Sequence, residues 1–321
     1  MKLVLLLISS LMAYASIISV GEFEVCYKKN TIAYKASCKH PKEVSTFLQK
    51  QMPNVNSVTL WITHDWQEDW YPAKTVTKMI KKGYVPLFIF YYFGDLISPD
   101  YVKKHQKRYL YTLQRFIRYL QKIKGKKIVV LNPEYNENGM SNNTDFDLLN
   151  TISIIKIKQH VKDALVGPCV GDFGDYKTIK DLQNWNTFEN SLHFSAKVAD
   201  FIAFQEMRAL TRNSKKEILL TPQRIKAFAS FLYQKYHKPT LLAYLAISSY
   251  HDSKLQSDVL RKWRHIFPTM QHFLGFGWFN LVDVPTHTGY FGEAEKHWGV
   301  IEADGEKKPS FFILQSFDLK K

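Results

Sequence analysis

Short runs of consecutive apolar residues alternate with stretches in which apolar residues recur every three or four positions, along almost the whole chain. Residues 58–63, 85–91, 128–131, 164–170, 201–204, 240–247 and 273–281 read as strands buried on both faces. Helical periodicity fills the gaps between them. It predicts helices over residues 73–82, closed by Gly83, from Ser98-Pro99 onward, over 146–161, within 178–196, from Pro222 to near His237, and over 252–267. An eighth strand is expected over residues 21–27, where Phe23 and Val25 alternate with Glu22 and Glu24.

Strands separated by helices imply parallel pairing with crossover connections. Eight such units favour closure, and no GxGxxG turn follows an early strand to indicate a dinucleotide fold. The expected architecture is α/β, a single (β/α)8 TIM barrel over residues 16–321 with a short N-terminal extension. No linker, low-complexity tract or internal repeat divides it.

In such a barrel the catalytic groups sit just past the C-terminal strand ends. Those positions carry Asp65 and Trp66 after the first run, Tyr91, Tyr92 and Asp95 after the second, and Asn132, Glu134 and Asn136 after the third. Asp172, then Gln205, Glu206 and Arg208, then Tyr250, and finally Trp278 and Asp283 follow. Aromatic faces stack on sugar rings while Asp, Asn, Gln and Arg bind hydroxyls, so the mixture suits a carbohydrate. Glycoside hydrolysis needs an acid and an ionised partner, and Glu134 and Glu206 are the candidate pair. Asp65, Asp172 and Asp283 compete for the second role. A structural ion pair, with Arg208 for instance, is the competing reading of Glu206.

The segments NPEYN, KPTLLAYLAISSY, GFGWFNLVD and HWGVIEADGEKKPSFF, in this order, resemble the second half of clan A glycoside hydrolases. The resemblance implies a barrel glycosidase, an acid/base at Glu134 and a sugar-stacking tryptophan at Trp278. Two departures accompany it. Pro133 separates Asn132 from Glu134, and Tyr244 stands where the clan has a nucleophilic glutamate on the seventh strand. Three alternatives stay open: Glu206 supplies the second carboxylate, the cleft binds glycans without chemistry, or the strand register differs.

Composition adds an address and a charge. Lys2, the apolar run 3–8 and Ala13-Tyr14-Ala15 form a secretory leader over residues 1–15, with a buried N-terminal helix as the alternative. No later apolar run is long enough to cross a bilayer, so an exported, periplasmic or secreted product without membrane insertion is expected. In an oxidising compartment Cys26 and Cys38 either bridge or remain free thiols. No His/Cys pattern has metal-ligand spacing, and no metal or cofactor is expected.

The net charge is +15, with Lys103, Lys104, Lys107, Arg108, Arg115 and Arg118 on one helical stretch. They read as a solvated face or as attraction to an acidic polysaccharide or envelope surface. No nucleic-acid motif is present, and a monomer acting on carbohydrate is expected. The alternatives are a non-catalytic glycan-binding protein and an envelope scaffold.

Overall fold

A computed structural model describes residues 16–21, 25–28, 31–34, 44–135, 139–171 and 189–318. The leader, Cys38, Asn136 and Asp172 lie outside these residues, and with them the Cys26–Cys38 pairing. Strands and helices follow one another as β1 (Ile17–Gly21), β2 (Val25–Lys28), β3 (Thr31–Tyr34), α1 (Val44–Gln51), β4 (Ser57–Thr63), α2 (Ala73–Lys81), β5 (Val85–Tyr91), α3 (Pro99–Lys122), β6 (Lys127–Leu131) and α4 (Thr144–His160). Then come β7 (Ala164–Val170), α5 (Glu189–Leu192), α6 (Ser195–Val198), β8 (Ile202–Arg208), α7 (Lys215–Tyr236), β9 (Thr240–Ile247), α8 (Ser253–Ile266), β10 (Phe273–Trp278) and α9 (Pro309–Gln315).

Eight parallel strands close into a barrel in the order β1, β10, β9, β8, β7, β6, β5, β4. The expected (β/α)8 fold is therefore present, with one strand relocated. Its first strand is Ile17–Gly21, whose residues are all buried, and not residues 21–27. Residues 25–28 instead pair antiparallel with residues 31–34 in a separate hairpin. A strand closing a helix-wrapped barrel must be apolar on both faces, and Glu22 and Glu24 do not meet that condition.

Side chains alternate between two cores, as the two-residue strand period requires. Ile17, Trp61, Leu87, Ile89, Ile128, Val130, Ala203 and Leu241 fill the barrel. Ile18, Leu60, Phe88, Phe90, Val129, Phe204 and Leu242 meet the helices. A register shift between Phe204 and Gln205 against β9 breaks this rhythm. As a result Ala243 and Tyr244, although consecutive, both belong to the inner core. Gly275 closes the β1–β10 seam at φ +134°, where a Cβ would stand 2.0 Å from the Ile17 carbonyl oxygen. Only glycine tolerates both that φ and that approach.

Helix boundaries follow local chemistry. Gly83 follows α2 at φ +95° and donates its N–H to the Ile80 carbonyl. Ser98 caps α3 by accepting from the Tyr101 N–H. The α3 lysines 103, 104 and 107 are exposed, while Val102, Tyr109, Leu113 and Phe116 are buried, so this basic stretch is a solvated face of an amphipathic helix. Helix α7 begins seven residues before Pro222, because Ser214 and Glu217 form a capping box. Pro222 is thus an interior residue of that helix and does not start it.

Candidate functional site

Past Leu131, Asn132 and Glu134 adopt left-handed backbone, φ 47° and 64° respectively, on either side of Pro133. Such φ values are unfavourable for residues with a Cβ and need compensation from their surroundings. Asn132 supplies part of it by turning outward. Its Nδ2 donates to the Tyr109 hydroxyl (3.0 Å) and to Asn150 Oδ1 (2.7 Å), on α3 and α4. Asn132 therefore anchors the turn within the strand–helix layer and does not line the cleft.

Glu134 points the other way, into the C-terminal mouth of the barrel. Its Oε2 accepts from the Tyr91 hydroxyl at 2.6 Å, and its Oε1 accepts a short hydrogen bond from the Tyr244 hydroxyl. The Tyr91 hydroxyl also lies 2.5 Å from Asp95 Oδ1. One phenol has one proton, so both Tyr91 contacts are hydrogen bonds only when a carboxyl group carries a second. Burial, followed by the charge of Glu134, pushes both tyrosine hydroxyls far above their ordinary range. They are donors at any physiological pH, and Tyr244 is a poor nucleophile.

Aromatic walls surround this group. Trp61 packs against Tyr91, Tyr244 and Phe279 with ring centroids 5.7, 5.2 and 5.6 Å apart. Gln205 lies opposite Tyr244 in the β8–β9 register. Trp61 Nε1 and Gln205 Oε1 are buried without a hydrogen-bond partner, one donor and one acceptor on the inner faces of β4 and β8. Cys169 is buried as well, its thiol pushed well above the usual value by burial and then by Glu134. His287 packs on Phe279 at 5.7 Å. Burial pushes its ring toward the neutral form, against the opposing influence of Glu295 and Asp95. At the rim, Asp65 is exposed and accepts from the Thr63 hydroxyl, and Tyr250 stacks on His297.

Trp61, Phe279 and His287 had no sequence signal of their own. The first two lie inside or beside apolar runs that read as uniform core. Only the inward parity of Trp61 within β4, once the strand is in place, marks it out.

Several expected site residues belong elsewhere. Glu206 lies inside β8, not past its end, opposite Leu245, which faces the helices. Its carboxylate is 3.2 Å from Arg208 Nη2 and 3.5 Å from Arg224 Nε on α7, and it is 1% exposed. Glu206 and Arg208 thus form an ion-pair cluster in the strand–helix layer, and Glu206 does not share the cavity with Glu134. Trp66 packs on Phe116 and Tyr119, and Tyr92 on Phe90, Phe93 and Tyr109, all within the outer core. Trp278 also faces outward, its Nε1 donating to the Trp298 carbonyl, while Phe279 takes the inner position.

Asp283 is tied down by the Gly299 N–H (2.7 Å) and Lys308 Nζ (2.6 Å). Ligand atoms of Asp283, His297 and Glu302 lie within 4.8 Å of one another, as in a cation site. Lys308 Nζ, however, is 2.6 Å from Asp283 and 3.8 Å from Glu302 and already supplies the positive charge.

No family model matches the chain, and no curated protein matches its sequence. Solved structures match its fold. A GH26 β-mannanase from Bacteroides ovatus superposes with a TM-score of 0.62 at 9% identity, over 95% of this chain and 88% of that one. A psychrophilic family 10 endo-β-1,4-xylanase gives 0.56 at 13% identity, over 95% and 97%. A family 39 glycoside hydrolase from Bacteroides cellulosilyticus gives 0.59 at 12% identity over 93% of this chain, which spans 62% of that larger protein. Among the described residues no helix is long and apolar enough to cross a membrane. At these identities the likeness concerns architecture: the chain has the (β/α)8 barrel fold found in these glycoside hydrolases.

Proposed function

We propose that this protein is a glycoside hydrolase acting on a polysaccharide or oligosaccharide, with Glu134 and Asp95 as its carboxylate pair. The observation that carries the reading is the trio Glu134–Tyr91–Asp95 at the barrel mouth. Because Tyr91 touches both, the nearest oxygens of the two carboxyl groups are no more than about 5 Å apart. That spacing belongs to the retaining geometry, in which one carboxylate attacks the anomeric carbon while the other protonates the departing oxygen. The group that protonated the departing oxygen then removes a proton from the water that releases the glycosyl-enzyme. Trp61 and Phe279 offer ring faces and edges to the sugar, and Trp61 Nε1 and Gln205 Oε1 bind its hydroxyls. Secretion through the leader at residues 1–15 belongs to the same proposal.

A second reading, glycan binding without cleavage, is favoured by one observation: a tyrosine on β9, not a carboxylate, faces Glu134. Release of reducing ends from xylan, mannan and β-1,3-glucan separates the two. Glu134→Gln and Asp95→Asn are each expected to lower turnover by at least about 100-fold while preserving the melting midpoint and oligosaccharide binding. Wild-type turnover in Glu134→Gln refutes the catalytic reading. Saturable binding by the native protein without product selects the second.

A further inference from the structure

Helix α4 is apolar on two sides. Phe146, Leu149, Ile154 and Ile157 are buried in the outer core, as a barrel helix requires. Leu148, Ile152 and Ile155 are instead 42%, 42% and 38% exposed. Their spacing, i, i+4 and i+7, puts all three on one stripe. The flanks of α4 are already occupied. Ser153 Oγ lies 3.0 Å from the Tyr109 hydroxyl of α3, and Gln121 Nε2 of α3 donates to the His160 carbonyl at 3.4 Å. On the other flank Asp147 accepts the N–H groups of Phe194 and Ser195, and Lys158 Nζ lies 2.5 Å from Asp200. The stripe runs between these flanks and faces away from the barrel.

Its border is basic. Lys156 is exposed on α4 itself, and Lys103, Lys104, Lys107 and Arg118 are exposed on the adjacent α3, with Tyr111 among them at 63%. The acidic residues of the two helices are Asp100, Asp145 and Asp147, and Asp147 is buried. An occupant that complements this face is apolar where it meets α4 and anionic where it meets α3. An anionic bilayer satisfies both conditions. Leucine and isoleucine enter the boundary between headgroups and acyl chains, while lysine and arginine stems carry their charges to the phosphates. A second copy of the chain would set cations of one face against like charges, each copy carrying a net +15. A dissolved anionic polymer would leave the α4 stripe in water.

We propose that the α3–α4 face is a peripheral docking surface for anionic phospholipid membranes, holding the barrel at a bilayer surface without crossing it. The inference concerns adsorption alone and does not depend on the catalytic reading.

The test is co-sedimentation of the full chain with phosphatidylcholine vesicles containing roughly 30% phosphatidylglycerol, and with vesicles of phosphatidylcholine alone. The expected result is binding to the anionic vesicles that falls as salt rises and is at least about tenfold weaker on the neutral ones. Replacing Leu148, Ile152 and Ile155 by Gln should weaken it about tenfold at fixed salt. Replacing Lys103, Lys104 and Lys107 by Gln should weaken it by at least about tenfold and flatten the salt dependence. Residues 1–15 are present in every variant, so adsorption through them cancels in the comparison. A charge-matched control, Lys216, Lys226 and Lys262 to Gln on α7 and α8, should leave binding within about twofold. Ile152→Gln alone, expected to weaken binding several-fold, replaces the triple α4 variant if that variant does not fold. Four outcomes overturn the proposal: no binding to anionic vesicles at low salt, unchanged binding in the α3 or the α4 variants, equal loss in the control, or a native dimer that Ile152→Gln dissociates.

Discussion

Glu134 and Glu206 both follow apolar runs, and chemistry alone does not separate them. Their backbone positions do. Glu134 lies beyond Leu131 on left-handed backbone and meets Tyr91 and Tyr244, whereas Glu206 is a strand residue facing α7. Opposite consequences follow for the same substitution. Glu206→Gln leaves Arg208 and Arg224, 5% and 3% exposed, without that charge. It is expected to cost about 3 kcal/mol of stability, read as a lowered midpoint in urea unfolding, with kcat of the surviving native fraction unchanged. Tyr244→Phe removes one donor to Glu134 and empties little volume. It should reduce turnover by roughly tenfold, the equivalent of one hydrogen bond to a charged group, while the unfolding midpoint stays near the wild-type value. Trp66, Tyr92 and Trp278 carry the residue types of a sugar site, yet all three pack into the outer core.

At the scale of elements, the strands 85–91, 164–170 and 240–247 have the limits that their apolar runs indicate. Strand β8 does not end with its run: hydrogen bonding to β9 carries it on through Gln205, Glu206 and Arg208. Polar residues normally signal a strand end, and here buried arginines on β8 and α7 make a strand-internal glutamate tolerable. Helix α7 gives the converse case. Proline marks first turns so often that Pro222 reads as a start, but the capping box at Ser214 begins the helix earlier. Ser214→Ala should cost about 1 kcal/mol through loss of the side-chain acceptor for the Glu217 N–H, measured by chemical denaturation. Glu217→Ala should cost a similar amount, since Glu217 Oε2 accepts from the Ser214 N–H at 2.6 Å.

On the scale of the whole molecule, the barrel sets Glu134 and Asp95 together beyond the C-terminal strand ends. Within the segment after β10, Asp283, Lys308 and Glu302 form a charged cluster, joined to Ser249 beyond β9 through Lys308, and this cluster responds to pH. Burial first, then hydrogen bonding to Asp283, raises Glu302 from 4.5 to about 7. A carboxyl group with a raised folded-state value binds its proton more tightly when folded, so its contribution is full below about 4.5 and lost as pH rises through 7. The side chain is 42% exposed, and solvent screening reduces the effect to about 1 kcal/mol. Glu302→Gln should therefore raise the melting midpoint by about 2 °C at pH 8 and leave it unchanged at pH 4, as followed by calorimetry. The sequence by itself determined the repeated strand–helix units and hence the barrel, because burial on both faces of a strand is written in consecutive apolar residues. It also marked Glu134, since Pro133 ends a strand visibly. What only the tertiary structure decided is which polar and aromatic side chains share the mouth. Inward or outward parity, and the β8–β9 register shift that brings Tyr244 to Glu134, are set by pairing between strands distant in sequence, which no local pattern records.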